Sequence, residues 1–99
     1  MYTNILDTLR KILFIKIIAD DSLGQYGKMR LEYLYNKKYG LYKELLCSGE
    51  LVSHCKYVQA QTFVVKKNII DKYVKLGYSY ISCSKAAEEI IISNLVGYK

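Results

Sequence analysis

The sequence predicts an all-α protein, a small bundle of four to five helices including one long central helix. Three observations carry this. Apolar residues recur three and four positions apart over most of the chain. No proline occurs in the 99 residues, so no helix is broken by that residue. Turn-forming residues gather at a few points, around 20–24, 40, 48–49 and 77, and cut the chain into helix-length pieces. One core is what a chain this long can close, and no linker or internal repeat divides it. Residues 1–99 therefore read as a single helical domain.

The elements follow in order. Over residues 3–19, Ile5, Leu6, Leu9, Ile12, Leu13 and Ile17 keep helical spacing, and Thr3 or Asn4 suits the cap. A strand over 12–18 is the competitor, because Ile and Phe favour strands; the spacing favours a helix. Asp20-Asp21-Ser22-Leu23-Gly24 stops this helix and starts the next. The second helix covers 25–38. Gly27, Leu31 and Leu34 form one stripe, and Tyr26, Arg30, Tyr33 and Lys37 form another. Gly27 invites a close helix neighbour. A short third helix spans 41–47 and ends at Ser48-Gly49.

The longest helix starts at Glu50 and ends at Gly77. Leu51, Cys55, Val58, Thr62, Val65, Ile69, Lys72 and Leu76 make a seam in steps of four and three, about 39 Å long. Val52, Phe63, Val64, Ile70 and Val74 widen it, as if two flanks were buried; a break near 59–62 is the variant reading. Residues 78–83 read as a connection with strand character. Ser84 then caps a last helix to Val96, with Glu88 and Glu89 near its start and Gly97 at its end.

The chain carries 15 Lys and Arg against 9 Asp and Glu, a net +6. Between residues 28 and 75 there are ten basic and four acidic residues, so the whole excess lies there. A polyanion is the partner such an excess suits, because each neutralised phosphate releases counterions. Tyr26, Tyr33, Tyr35, Tyr39 and Tyr42 interleave with the basic residues, and tyrosine stacks on bases or bonds phosphates. Lys28, Arg30, Tyr33, Lys37, Lys38, Lys43, Lys66 and Lys67 are the candidate binding residues. The competing reading is a solvated lysine face with tyrosines as half-buried packing.

Other chemistries find little support. Cys47, Cys55 and Cys83 are an odd set, which reads as three buried, reduced thiols rather than a disulfide framework. Cys47 and Cys55 are too far apart for a structural zinc pair, so no metal is expected. His54 could approach Cys47, but nothing supplies an oxyanion hole. No glycine-rich phosphate loop and no acidic pair appear. The expectation is a non-enzyme with no cofactor and no small-molecule substrate. The apolar run at 12–18 is short and split by Lys16, which argues against a signal peptide or membrane span and for a cytoplasmic protein. Residues 41–50 outline a helix–turn–helix, but Leu45 and Glu50 occupy places that turn reserves for a small and an apolar residue. A plain helical hairpin fits better.

Three stretches, Tyr26-Gly27-Lys28-Met29-Arg30-Leu31-Glu32-Tyr33-Leu34, Tyr42-Lys43-Glu44-Leu45-Leu46-Cys47-Ser48-Gly49-Glu50-Leu51, and Ala86-Ala87-Glu88-Glu89-Ile90-Ile91 with Leu95 to Tyr98, resemble the transposon-encoded TnpV family of small bacterial proteins. The resemblance covers roughly 22–98 with gaps and leaves 1–20 unexplained; without the family's Pro and Trp, the chain looks like a diverged or shortened member. It implies a mobile-element or phage setting and a helical fold, and it brings no catalytic residues. The functional expectation is an accessory protein that binds nucleic acid or a host nucleoprotein. The alternative is an anti-CRISPR-like inhibitor that docks on a host defence complex. A homodimer is also expected, because the long seam and the last helix (Ile90, Ile91, Ile92, Leu95, Val96) exceed what one small domain buries.

Overall fold

The computed structural model describes residues 2–93, with side chains from residue 5 onward. Five α-helices follow one another: α1 (Tyr2–Ile18), α2 (Gly24–Lys37), α3 (Tyr39–Ser48), α4 (Leu51–Lys75) and α5 (Tyr80–Ile91), with a 3-10 turn over Asp21–Leu23 before α2. No strand occurs among the described residues. Residues 12–18 are helical, as their spacing required. Thr3 and Asn4 fall inside α1, and their side chains lie outside the described residues.

The 25-residue α4 is the spine, about 37 Å at the α-helical rise. It runs unbroken through 59–62. Two helices share one side of it, end to end and both antiparallel to it. Against the first half lies α2, with Gly27 beside Cys55 and Arg30 beside His54. Against the second half lies α5, where Cys83 and Ala87 pack with Ile70, and Glu88 reaches Lys66. The ends of α2 and α5 meet where Tyr26 packs on Ile91. End-to-end placement makes the molecule long, 60 × 24 × 19 Å.

The main core sits at the other end of α2. Leu23, Leu31, Leu34, Tyr42, Leu51 and Cys55 close it, with Phe14, Ile17 and Ile18 of α1 packed against it. Phe14, Tyr35, Tyr39 and Tyr42 form one aromatic cluster, with ring centroids 4.3 to 5.6 Å apart. Gly27 has the role its position suggested: a Cβ there would stand 3.0 Å from the Cys55 carbonyl oxygen, so any side chain would press on that backbone and push the two helices apart. Gly49 adopts φ +77°, and the Glu50 N–H bonds the Leu45 carbonyl, which closes α3 and turns the chain into α4.

Several expectations are corrected. Leu51, Cys55, Val58 and Thr62 are buried as the seam predicts, but Lys72 and Leu76 are exposed, because α5 docks through Ile70 and nothing among the described residues covers the helix end. Phe63, Val64 and Val74 are exposed too, so α4 buries one flank and not two. Residues 80–83 are helical: Ser79 Oγ accepts from the Ser82 N–H and starts α5 four residues before Tyr78–Cys83 was to end as a connection. Ser84 is therefore inside the helix and caps nothing. Glu88 stands in the third turn, too far from the N-terminus for the helix dipole to explain it. Cys47 is exposed and only Cys55 and Cys83 are buried; all three are free thiols. Leu95, Val96 and Gly97, assigned to the end of the last helix, lie outside the described residues.

Candidate nucleic-acid interface

The α-helix turns about 100° per residue, which decides where the basic residues point. Lys28 and Arg30 are about 200° apart on α2 and lie on opposite flanks. Lys28 turns toward the acidic corner and bonds Asp21 Oδ1 at 2.9 Å. That corner is tightly set: Asp20 Oδ1 accepts from the Ser22 N–H at 2.9 Å, and the Ser22 side chain first, then this backbone bond, with Lys56 and Lys28 nearby, hold the Asp20 carboxyl below its ordinary value. Two lysines here face two aspartates.

On the other flank stand Arg30, Tyr33 and Lys37, three and four residues apart. The Arg30 guanidinium lies 5.5 Å from the Tyr33 ring and donates from Nε to His54 Nε2 at 3.2 Å. That acceptor nitrogen is unprotonated. Burial, and then the Arg30 charge, lower the His54 pKa and keep the ring neutral. Lys38 follows at the α2–α3 corner, and Lys43 of α3 lies 5.4 Å from the Tyr39 ring. Lys37 and Lys38 are exposed.

Lys66 and Lys67 belong to a separate place, fifteen or more residues along α4, about 22 Å from its start. Lys66 Nζ donates to Glu88 Oε2 at 2.8 Å and to the Tyr26 hydroxyl at 3.1 Å, while that hydroxyl donates to the same carboxylate oxygen at 2.7 Å. These bonds lower the Glu88 pKa, Lys66 contributing most, and raise that of Lys66. The triad ties α2, α4 and α5 together. Beside it opens a cavity of about 450 Å³, lined by Tyr26, Gln59, Phe63, Lys66, Lys67 and Tyr80 among others.

The structure thus brings together Arg30, Tyr33 and Lys37, with Lys38 and Lys43 near the same end. It places Lys66 and Lys67 at the cavity, and Lys28 on the far flank. None of the interleaved tyrosines is fully exposed: Tyr26 and Tyr42 are buried, and Tyr33, Tyr35 and Tyr39 are half-buried, Tyr33 beside Arg30 and Tyr39 beside Lys43. Phe63 and Tyr80 are exposed aromatics that line the cavity together with Lys66 and Lys67, and the sequence reading did not single them out. Phe63 looked like seam and Tyr80 like a connection, so only their shared cavity reveals them. Among the described residues no group of three His, Cys, Asp or Glu side chains gathers as a metal site. No helix among them is long and apolar enough to cross a membrane.

Fold and surface together define a small, basic, all-helical protein with its lysines spread over two ends of one long spine. The chain belongs to the family described as Transposon-encoded protein TnpV, which its residues 2–79 match. The match includes α1, which the resemblance in the sequence left unexplained, and stops before the third quoted stretch at 86–98. No curated protein and no solved structure is significantly similar to the chain. A transposon-associated protein is what the family establishes.

Proposed function

We propose that this protein is a non-enzymatic accessory of its mobile element and that it contacts nucleic-acid phosphates through exposed lysines. One observation carries the reading. Between residues 28 and 75, Lys28 and Lys66 each pair with a carboxylate, while Lys37, Lys38, Lys67, Lys72 and Lys75 stand exposed. A cationic surface that its own acids do not neutralise favours a polyanion, and binding of this kind releases counterions. Arg30 and Tyr33 supply a planar cation and a ring beside Lys37, groups suited to phosphate and base.

The test is fluorescence anisotropy with labelled single-stranded and duplex DNA over a salt series. Affinity is expected to fall log-linearly with salt, by about 0.7 to 0.9 in slope for each phosphate contacted. Lys37→Ala with Lys38→Ala is expected to flatten that slope by about 1 to 2. Salt-independent binding, or none, overturns the proposal. A protein partner that survives nuclease treatment in a pull-down, with no binding to DNA or RNA, supports the inhibitor alternative instead.

A further inference from the structure

The face of α1 turned away from the bundle carries Ile5, Leu9, Ile12 and Leu13, flanked by Leu6 and Ile15. These six side chains keep 42% to 62% of their surface exposed. The opposite face of the same helix packs Phe14, Ile17 and Ile18 on the core. A second apolar face on a helix that already buries one is a surface that calls for a cover. We propose that a second copy of this chain covers the outer face, through two-fold pairing of α1 with α1.

Area selects this occupant. Six half-exposed aliphatic side chains present on the order of 500 Å² of apolar surface, at the upper end of what a monomer leaves in water. A standard interface takes about 800 Å² from each partner and homodimer interfaces are about 65% apolar, which asks for about 520 Å² per copy. The α1 face supplies about that amount, with Ile5, Leu9, Ile12 and Leu13 at its centre and Leu6 and Ile15 at its two edges. A two-fold axis needs no second, complementary surface, because it sets the same patch against itself.

The stripe also states a direction. Its charge is Lys16, one turn beyond Ile12 and exposed. In a parallel pair the two Lys16 ammonium groups would face each other across an interhelical gap of about 8 to 10 Å. An antiparallel pair centred between Leu9 and Ile12 sets them about 16 Å apart along the axis, beyond the screening length, each opposite Ile5 of the other copy, where its long stem carries the ammonium out to water. The pair is therefore antiparallel. The expected dimer doubles the lysine surface and places the two copies of the basic flank on one particle.

Sedimentation equilibrium of the whole chain, from low to high micromolar concentration, reads the proposal. The expected mass is twice the 11.5 kDa chain. Leu9→Asp with Ile12→Asp changes only exposed positions, so helicity by circular dichroism is retained while the mass drops to one chain. In a Cys47→Ser background, Ile5→Cys mixed with Lys16→Cys is expected to give a mixed disulfide on oxidation. Three results overturn the proposal: a wild-type monomer at the highest concentration, a double variant that still dimerises, or a monomer that floats with vesicles of phosphatidylserine and phosphatidylcholine. Ready self-linking of Ile5→Cys alone overturns the antiparallel direction.

Discussion

The N-terminus of α2 is closed from a distance, and removing that closure makes a measurable prediction. Leu23 precedes the helix and offers no side-chain cap. Gln59 of α4 does the work instead: its Oε1 accepts from the Tyr26 N–H at 2.7 Å and the Gly27 N–H at 3.1 Å. Gly24 leaves the gap it enters, since a Cβ there would collide with the Gln59 amide. Losing an N-cap costs about 0.5 to 2 kcal/mol, and a buried donor left without an acceptor about 1 to 3. The site is half-buried, so water recovers part of the loss, and Gln59→Ala is expected to cost about 2 kcal/mol. Against a total of about 5 to 15 kcal/mol that is a large share. It lowers Tm by about 8 to 16 °C in a domain of this size. Urea titration gives the free energy and thermal scanning the midpoint. Gln59→Glu keeps an accepting oxygen and adds negative charge at the positive end of a helix, so its stability matches or exceeds wild type. An alanine variant within about 0.5 kcal/mol of wild type, or a glutamate variant as weak as the alanine one, refutes the distant cap.

Four more predictions follow from single groups. Thr62 Oγ1 is buried with no hydrogen-bond partner among the described residues, so Thr62→Val, of the same shape, is expected to raise stability by up to about 1 kcal/mol in urea titration. Cys47 is exposed while burial pushes the Cys55 thiol up to about 11 and Cys83 is buried; a chromogenic disulfide reagent is expected to titrate one thiol in the native protein and three after denaturation. Glu88 is held below its ordinary 4.5, so its contribution is full above that value and is lost as pH falls through the lower folded value; Glu88→Gln is expected to cost about 1 kcal/mol at neutral pH and to flatten the acid limb of stability against pH. His54 works in the same sense, its folded pKa lying under the ordinary 6.5, so stability also declines as pH drops below about 6.5, and Arg30→Ala weakens that decline by removing the repelling charge.

What the sequence made legible was local. Spacing placed the helices, Gly49 and Gly77 marked two ends, and the stripe of Gly27, Leu31 and Leu34 is the buried one. The misses share a cause: periodicity says which residues share a face and does not say what packs against it. Ile69 and Ile70 both belong to α4's apolar run. Only the docking of Cys83 and Ala87 makes Ile70 the buried one and leaves Leu76 in water. Residues 78–83, with two Tyr and an Ile, read as strand-like, yet Cys83 and Ala87 must share one helical stripe, and that tertiary demand starts α5 at Tyr80. Long-range polar links leave no trace in spacing at all. Gln59 lies 33 and 32 residues from the groups it caps, and Tyr26 lies 62 from Glu88.

The same limit governs the candidate site. Composition located the charge between residues 28 and 75, but not its direction, because Lys28 and Arg30 are neighbours in sequence and opposite in space. Tyrosine is ambiguous by nature, with an apolar ring and a polar tip, and the fold resolved it by burial. Tyr42 donates its hydroxyl to the Arg10 carbonyl at 2.8 Å, and burial pushes its pKa up to about 12, so it is a structural group and not a contact for a partner. The proposed pairing through α1 would change the weight of what remains. One chain offers its lysines at two separated ends, each a weak claim on a polyanion. Two chains on one axis offer four such places to the same strand, and linked sites gain from effective concentration. Leu9→Asp with Ile12→Asp touches no lysine, yet it is expected to weaken DNA binding about tenfold or more. Equal affinity in monomer and dimer would mean that each copy binds alone and that the pairing serves another end.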